Sequence, residues 1–227
     1  PRSTLSSSSA ASDVYKRQVL YYSESGVPDK VYLNDGGGTF HDSGLLLDED
    51  FIAWGDLDGD GDADYFGKHW GEGYGVMLND GGVQGGTLGQ FTLGWQMADR
   101  QANVGDVALA DFDGDGDLDA LISNGFRDTG SQPARLLWND GSGAFTDSAP
   151  FGNGALRLNE TMGAHFAVGD LDLDGRLDVV VTNMDRPNEV WLNRGEQFLD
   201  SGLRLGDATE MSGRPTLGDL DGDGDLD

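Results

Sequence analysis

The apolar positions of this chain occur in short runs, each about four to six residues long and bounded by Gly, Asp or Asn. The runs are rich in β-branched and aromatic residues, which is typical of β-strands. No stretch of ten or more residues keeps a helical period, so the pattern predicts an all-β chain. The predicted strands fall into groups at 51–55, 65–67, 76–80 and 90–94; at 107–110, 120–123, 136–140 and 144–148; and at 165–169, 179–182, 190–194 and 197–203.

A polar nonapeptide lies between the first and second strands of each group. It occurs at 56–64 (loop 1), 111–119 (loop 2), 170–178 (loop 3) and 219–227 (loop 4), and the apolar run 215–218 precedes the last copy. Asn-Asp-Gly corners at 79–81 and 139–141 predict hairpins after the third strands. Antiparallel four-stranded units with a period near 50 residues are typical of β-propeller blades. A stacked β-solenoid is the alternative, although its repeats are usually much shorter.

The two ends fit this repeat only in part. Residues 31–47 match a third and fourth strand and 19–25 match a second, but the acidic loop expected near 11–19 is missing. The stretch SSSSAASDVYKRQ resembles translated adapter sequence, so residues 1–18 are predicted to be non-native, with a disordered serine-rich tail as the alternative. Residues 19–227 are predicted to form about four blades of an incomplete propeller, and the chain to be a fragment.

Charge is concentrated in the four loops. The formal net charge is −27, and nearly half of the 41 acidic residues lie in the nonapeptides. No basic footprint is available for phosphates, which argues against nucleic acid as a partner. Cysteine is absent, which excludes disulfides and thiolate metal sites. No run of about 18 apolar residues occurs, so no membrane insertion is predicted.

The loop pattern D-x-D-x-D-G-x-x-D predicts a Ca²⁺ site. Carboxylates at positions one, three, five and nine, with the carbonyl of position seven and a water, supply the 6–8 oxygens that Ca²⁺ takes. Mg²⁺ fits less well, and transition metals favour imidazole or thiolate. Simple acidic surface turns are the alternative. The predicted metal-binding residues are Asp56, Asp58, Asp60, Asp62, Asp64, Asp111, Asp113, Asp115, Asp117, Asp119, Asp170, Asp172, Asp174, Arg176, Asp178, Asp219, Asp221, Asp223, Asp225 and Asp227.

Position twelve distinguishes this loop from an EF-hand. An EF-hand has a carboxylate there and helices on both sides, whereas this chain has Gly67, Ile122 or Val181 and flanking strands. Arg176 at position seven of loop 3 is compatible with a position that contributes only its backbone carbonyl.

The loops and strands resemble the FG-GAP/VCBS repeats of integrin α-subunit propellers and of many secreted bacterial proteins. The resemblance covers roughly residues 19–227, with the first loop missing. It implies a β-propeller with calcium loops on one face and an extracellular or cell-surface location in a bacterium, with the periplasm as the alternative. Fold alone does not specify a function.

Three functions are compatible with this sequence. The favoured one is a calcium-stabilised binding or adhesion module for a protein or glycan, with Trp70 and Trp95 as candidate contacts; packing between blades is the alternative for both. Trp54, Trp138 and Trp191 lie within predicted strands and are expected in the core. A purely architectural spacer in a surface protein is the second.

The third possibility is a secreted polysaccharide lyase or hydrolase built on the same scaffold. Such an enzyme would gather Tyr, His, Arg or Lys at one end of the propeller. His69 and His165 occupy different repeat positions, and no G-x-S-x-G nucleophile motif occurs. The sequence therefore favours a non-enzymatic role, and no catalytic residue is predicted.

Overall fold

The computed structural model describes residues 19–24, 27–34, 39–47, 50–69, 73–81, 90–96, 104–124, 134–147, 165–183, 186–195, 197–207 and 212–227. These residues contain fifteen β-strands and no helix. The strands are β1 (Val19–Glu24), β2 (Val27–Asn34), β3 (Phe40–Leu47), β4 (Asp50–Gly55), β5 (Asp64–His69), β6 (Gly73–Asn79), β7 (Phe91–Gln96), β8 (Val104–Ala110), β9 (Asp119–Asn124), β10 (Arg135–Asn139), β11 (Phe145–Asp147), β12 (His165–Gly169), β13 (Asp178–Thr182), β14 (Asn188–Asn193) and β15 (Phe198–Leu205).

The strands form four antiparallel sheets, each a simple meander. Sheet A contains β1–β3, sheet B contains β4–β7, sheet C contains β8–β11 and sheet D contains β12–β15. In the three four-stranded sheets the acidic loop joins the first strand to the second, as the repeat predicts. The all-β class and the four-stranded antiparallel unit are confirmed.

Alternating side chains on strand β9 of sheet C face two different neighbouring sheets. In β9, Ala120 and Ile122 belong to the core shared with sheet B, while Leu121 belongs to the core shared with sheet D. All three are at most 2% exposed. Both faces of sheet C are therefore buried, and the sheets pack face to face as blades do.

The first strands of successive sheets lie side by side, β4 against β8 and β8 against β12. Their close approach explains the glycine that precedes loop 1. A Cβ on Gly55 would lie 2.5 Å from Leu118 Cδ1, too close for any larger residue without rearrangement. Gly169 meets Leu226 in the same way, also at 2.5 Å. The packing between loop 4 and sheet D thus repeats the packing between sheets C and B.

Loop 4 closes without a described strand on either side. Gly218 and Asp227 exchange two backbone hydrogen bonds of 3.0 and 3.3 Å, in the register of the Gly169–Asp178 pair. The outer face of sheet D borders a cavity of about 540 Å³ lined by Val180, Val190 and Leu203. The architecture is that of incomplete propeller blades, and the described residues form no closed ring.

The remaining expectations can be compared with the structure directly. Sheet A has the three strands expected of residues 19–47. Residues 1–18 and Trp70 lie outside the described residues. Trp95 is partly buried and packs in the core between sheets B and C, 5.6 Å from the Phe145 ring, as the packing alternative expects. Trp191 is buried, as expected, and Trp54 and Trp138 are partly buried beside core clusters.

Within the described part of the chain, no helix is long and apolar enough to cross a bilayer.

Candidate metal centres

Each acidic loop is curled by its own carboxylates, which accept hydrogen bonds from backbone amides further along. In loop 1 the Gly61 amide donates to Asp56 Oδ2 at 3.0 Å, and the Asp60 amide donates to Asp58 Oδ1 at 3.2 Å. The bond from position six to position one recurs in the other three loops. In all four loops the carboxylates at positions one and three lie close together.

The curl requires a left-handed backbone at positions four and six. Gly59 and Gly61 have φ of +74° and +91°, a region that L-residues avoid. The sequence pattern pointed to the glycine at position six but not to position four. Loop 3 has Leu173 at position four with φ of +59°, which makes it the one non-glycine residue with positive φ among the described residues.

The carboxylate at position nine is buried at the base of the loop. Asp64 accepts hydrogen bonds of 2.8 Å from the Leu57 amide on one oxygen and from the Asn79 amide on the other. Asp119 and Asp178 have the same two partners in their own sheets, and all three are fully buried. Burial raises the pKa of Asp64 and of Asp119 to about 7, and it also raises the pKa of Asp178.

An asparagine at the end of the third strand connects neighbouring loops, a role that the sequence analysis missed. Asn139 Nδ2 donates to the Leu118 carbonyl of its own loop at 3.1 Å and to the Leu57 carbonyl of loop 1 at 2.8 Å. Asn193 Nδ2 donates to the Phe112 carbonyl of loop 2 at 2.8 Å. The recurrence of Asn after the third strand was visible in the sequence, but its inter-sheet bond was not.

Every loop gathers three carboxylates whose oxygens lie within 4.8 Å of one another. Loops 1, 3 and 4 bring together positions one, three and nine, whereas loop 2 brings together positions one, three and five. The side chain at position seven belongs to none of these groups. This is compatible with the prediction that position seven offers the ion only its backbone carbonyl oxygen. The clustered residues are Asp56, Asp58 and Asp64; Asp111, Asp113 and Asp115; Asp170, Asp172 and Asp178; and Asp219, Asp221 and Asp227.

The chemistry of these clusters fits a hard divalent cation. Asp56 Oδ1 in loop 1 is a buried oxygen with no hydrogen-bond donor, although the other oxygen of the same carboxylate is bonded to Gly61. Burial raises the pKa of Asp56 as well. Buried carboxylate oxygens without a donor are costly unless a cation compensates them. All side chains in these groups are carboxylates, and oxygen ligands of this kind are the ones that Ca²⁺ prefers.

A second polar cluster lies at the other end of the first strands. The buried Asp106 carboxylate near the start of β8 accepts hydrogen bonds from the Arg214 guanidinium and from the Phe166 amide, the latter at 3.2 Å. His165 Nδ1 lies 3.5 Å from Asp106 Oδ2. Sequence reasoning missed this cluster, although each of the three side chains stands five residues before the first Asp of a loop.

Fold and loops together define a β-propeller-type repeat protein with an acidic, oxygen-lined loop in each repeat. The family model described as FG-GAP-like repeat matches residues 111–181 and 170–227, which together span just over half of the chain. The chain therefore belongs to the FG-GAP-like repeat family, and the resemblance seen in the sequence is confirmed. FG-GAP repeats often bind calcium and are typical of extracellular proteins. A search of curated proteins found no significant match.

Proposed function

We propose that this chain is a calcium-stabilised β-propeller module that works outside the cell as a binding or adhesion unit for a protein or glycan. The observation that carries the calcium part is the recurrence of three converging carboxylates at the same place in four repeats. Asp56, Asp58 and Asp64 hold the ion in loop 1, and the three carboxylates grouped in loop 2 and in loop 4 hold it there. The ion supplies positive charge that compensates the buried carboxylates.

The ion acts structurally because the loop lies between two strands and against the next sheet. Loop 1 contacts sheet C through the Asn139 bond to the Leu57 carbonyl. An ion that orders this loop therefore also orders the surface on which the neighbouring sheet packs. A ligand that binds only the folded state at 100 times its Kd stabilises that state by about 2.7 kcal/mol per site.

Calorimetry on metal-stripped protein tests the calcium part. Adding millimolar Ca²⁺ should raise the melting temperature by several degrees, and equimolar Mg²⁺ should raise it less, because Mg²⁺ demands a stricter octahedron. Asp58→Asn should remove part of this gain, while Asp207→Asn, at an exposed carboxylate outside the loops, should not. A melting temperature that does not respond to Ca²⁺ would contradict the proposal.

The binding role is supported by the family and by the absence of a nucleophile motif from the sequence. Labelled, calcium-loaded protein is applied to a glycan array and to a panel of extracellular-matrix proteins. Saturable binding that disappears on chelation, without change to the ligand, supports the module. Release of shortened or unsaturated products from a bound polysaccharide would instead favour an enzyme.

A catalytic role is the second candidate, and the cluster of Asp106, His165 and Arg214 favours it. A buried carboxylate that faces one nitrogen of a histidine is an arrangement that can orient the ring as a general base, and a nearby guanidinium can hold a uronate carboxylate. The test is the absorbance of unsaturated uronates during incubation with acidic polysaccharides. Product formation that His165→Ala abolishes and Arg204→Gln preserves would support this candidate, and no product would exclude it.

A further inference from the structure

Loop 3 differs from the other loops in the charges that surround it. Loop 2 contributes five carboxylates, and Asp140, the residue that follows Asn139, contributes a sixth. Loop 1 with Asp80 has the same number. Loop 3 has four carboxylates, because Arg176 occupies position seven, and the residue after Asn193 is Arg194. Relative to loops 1 and 2, two acids are therefore replaced by two guanidinium groups in loop 3.

Arg194 lies directly against the loop 3 carboxylates. Its Nη2 atom is 2.7 Å from Asp172 Oδ2, and its Nη1 atom is 2.8 Å from Asp174 Oδ2. Arg176 Nη1 adds a third contact, 3.3 Å from Asp174 Oδ2. Asp172 is one of the three carboxylates that converge in this loop. The Arg194 guanidinium thus contacts the carboxylate at position three of loop 3. The equivalent carboxylates in loops 1 and 2 are proposed Ca²⁺ ligands.

We propose that Arg194 holds loop 3 closed in place of a divalent cation, so that this loop binds Ca²⁺ much more weakly than loops 1 and 2. This inference rests on the proposed calcium binding of the other loops. A fixed guanidinium beside the site repels Ca²⁺ and occupies Asp172. Even with strong solvent screening, the repulsion between a guanidinium and a neighbouring divalent ion weakens binding by about tenfold. The loop needs less compensation, since its own charge is already reduced.

Isothermal titration of metal-stripped protein with Ca²⁺ tests which loops bind. Asp58→Asn in loop 1 and Asp113→Asn in loop 2 should each remove one strong site. Asp172→Asn in loop 3 should leave the number of strong sites unchanged. If Asp172→Asn removes a strong site as the other two variants do, the inference is wrong.

Replacing the arginine gives the converse test. Arg194→Asp introduces the acid found at this place in the first two repeats and should add one strong site, with at least a tenfold gain in affinity for that loop. Arg194→Gln removes the charge without adding a ligand and should give a smaller gain. Arg204→Gln is the matched control, because Arg204 pairs with Asp200 on the same sheet and does not contact the loop. Unchanged isotherms for both Arg194 variants would overturn the inference.

Melting without metal separates this inference from the calcium proposal. Arg194→Asp should melt lower than the parent in chelator and recover in Ca²⁺, because an ion then replaces the guanidinium. A blank titration for the parent and for Arg194→Asp would refute calcium binding at the loops, and this inference with it. Strong binding by the parent that includes loop 3 would refute only the inference about Arg194.

Discussion

Loops 2 and 4 have almost the same sequence and very different surroundings. The two nonapeptides differ at one position, where Phe112 in loop 2 corresponds to Leu220 in loop 4. Phe112 is 2% exposed and packs edge to face on Phe198 of sheet D, whereas Leu220 is 86% exposed. At position nine, Asp119 is fully buried and Asp227 is exposed.

The comparison separates what the loop does alone from what the neighbouring sheet adds. Both loops make the bonds from position six to position one and from position two to position nine. Only in loop 2 are these bonds covered by a neighbouring sheet in the described part of the chain. The curl is therefore local, whereas the cost of ionising Asp119, at the base of loop 2, comes from burial.

Replacing the side chain at position two of the nonapeptide by alanine should give the largest difference in stability loss between loops 2 and 4. Phe112→Ala is expected to cost about 3–5 kcal/mol, because it leaves a cavity between sheets C and D. Leu220→Ala should stay within about 0.5 kcal/mol, since the side chain it removes is in solvent. Urea unfolding monitored by circular dichroism measures both. Similar losses for the two variants would mean that loop 4 is covered as loop 2 is.

The next largest effect concerns Asn139, which connects sheet C to the buried loop 1. Asn139→Ala should cost about 2–3 kcal/mol, because it leaves the buried carbonyl of Leu57 without a donor. Ser142→Ala in the same turn is the control, because Ser142 is exposed and bonds only to the exposed Asp140 in the described contacts. Denaturant midpoints provide the measurement. A loss no larger than that of the control would refute the inter-sheet role of Asn139.

Stability should also depend on pH when the ions are removed. The raised pKa of Asp119, about 7 against 3.8 for an ordinary aspartate, means that the folded chain holds a proton the unfolded chain releases. Between about pH 4 and pH 7 the free energy of unfolding should therefore fall as pH rises, and the penalty is complete above pH 7. Asp64 adds to the same trend.

Metal-stripped protein unfolded in urea at pH 5 and pH 8 measures this dependence. Ca²⁺ should flatten or reverse the slope, because it favours the ionised carboxylates. Asp119→Asn should reduce the slope, because it removes the buried carboxylate whose pKa is raised. A metal-stripped protein that becomes more stable toward pH 8 would contradict the burial argument.

The smallest predicted effect concerns position four. Leu173→Gly should stabilise the chain by about 1 kcal/mol, because Leu173 has φ of +59° and its side chain is 64% exposed. Gly222→Ala at the same position of loop 4, with φ of +82°, should destabilise by a similar amount. Thermal melts in Ca²⁺ test the pair. The two variants should change the melting temperature in opposite directions. A lower melting temperature for Leu173→Gly would mean that the Leu173 side chain makes a stabilising contact.

The repeat made most of the fold predictable. Alternating apolar positions, turn residues and the spacing of the loops were enough to place strands such as β9 and β13 and to group them in fours. The grouping of carboxylates in each loop was predictable, because these residues are local in sequence. Arg194 and Asn139 were not recognised, since their partners in the structure lie about 20 and 82 residues away.

The order of the strands, the curl of the loops and the oxygen-rich chemistry of each loop follow from the amino-acid sequence, because they depend on neighbours within one repeat. The tertiary structure decided which of the acidic loops are buried. It also decided which loops an asparagine of the next sheet contacts, and which loop has an arginine against its carboxylates. Desolvation and charge pairing act between segments that are distant in sequence. Nearly identical nonapeptides therefore acquire different properties only once the sheets are packed together.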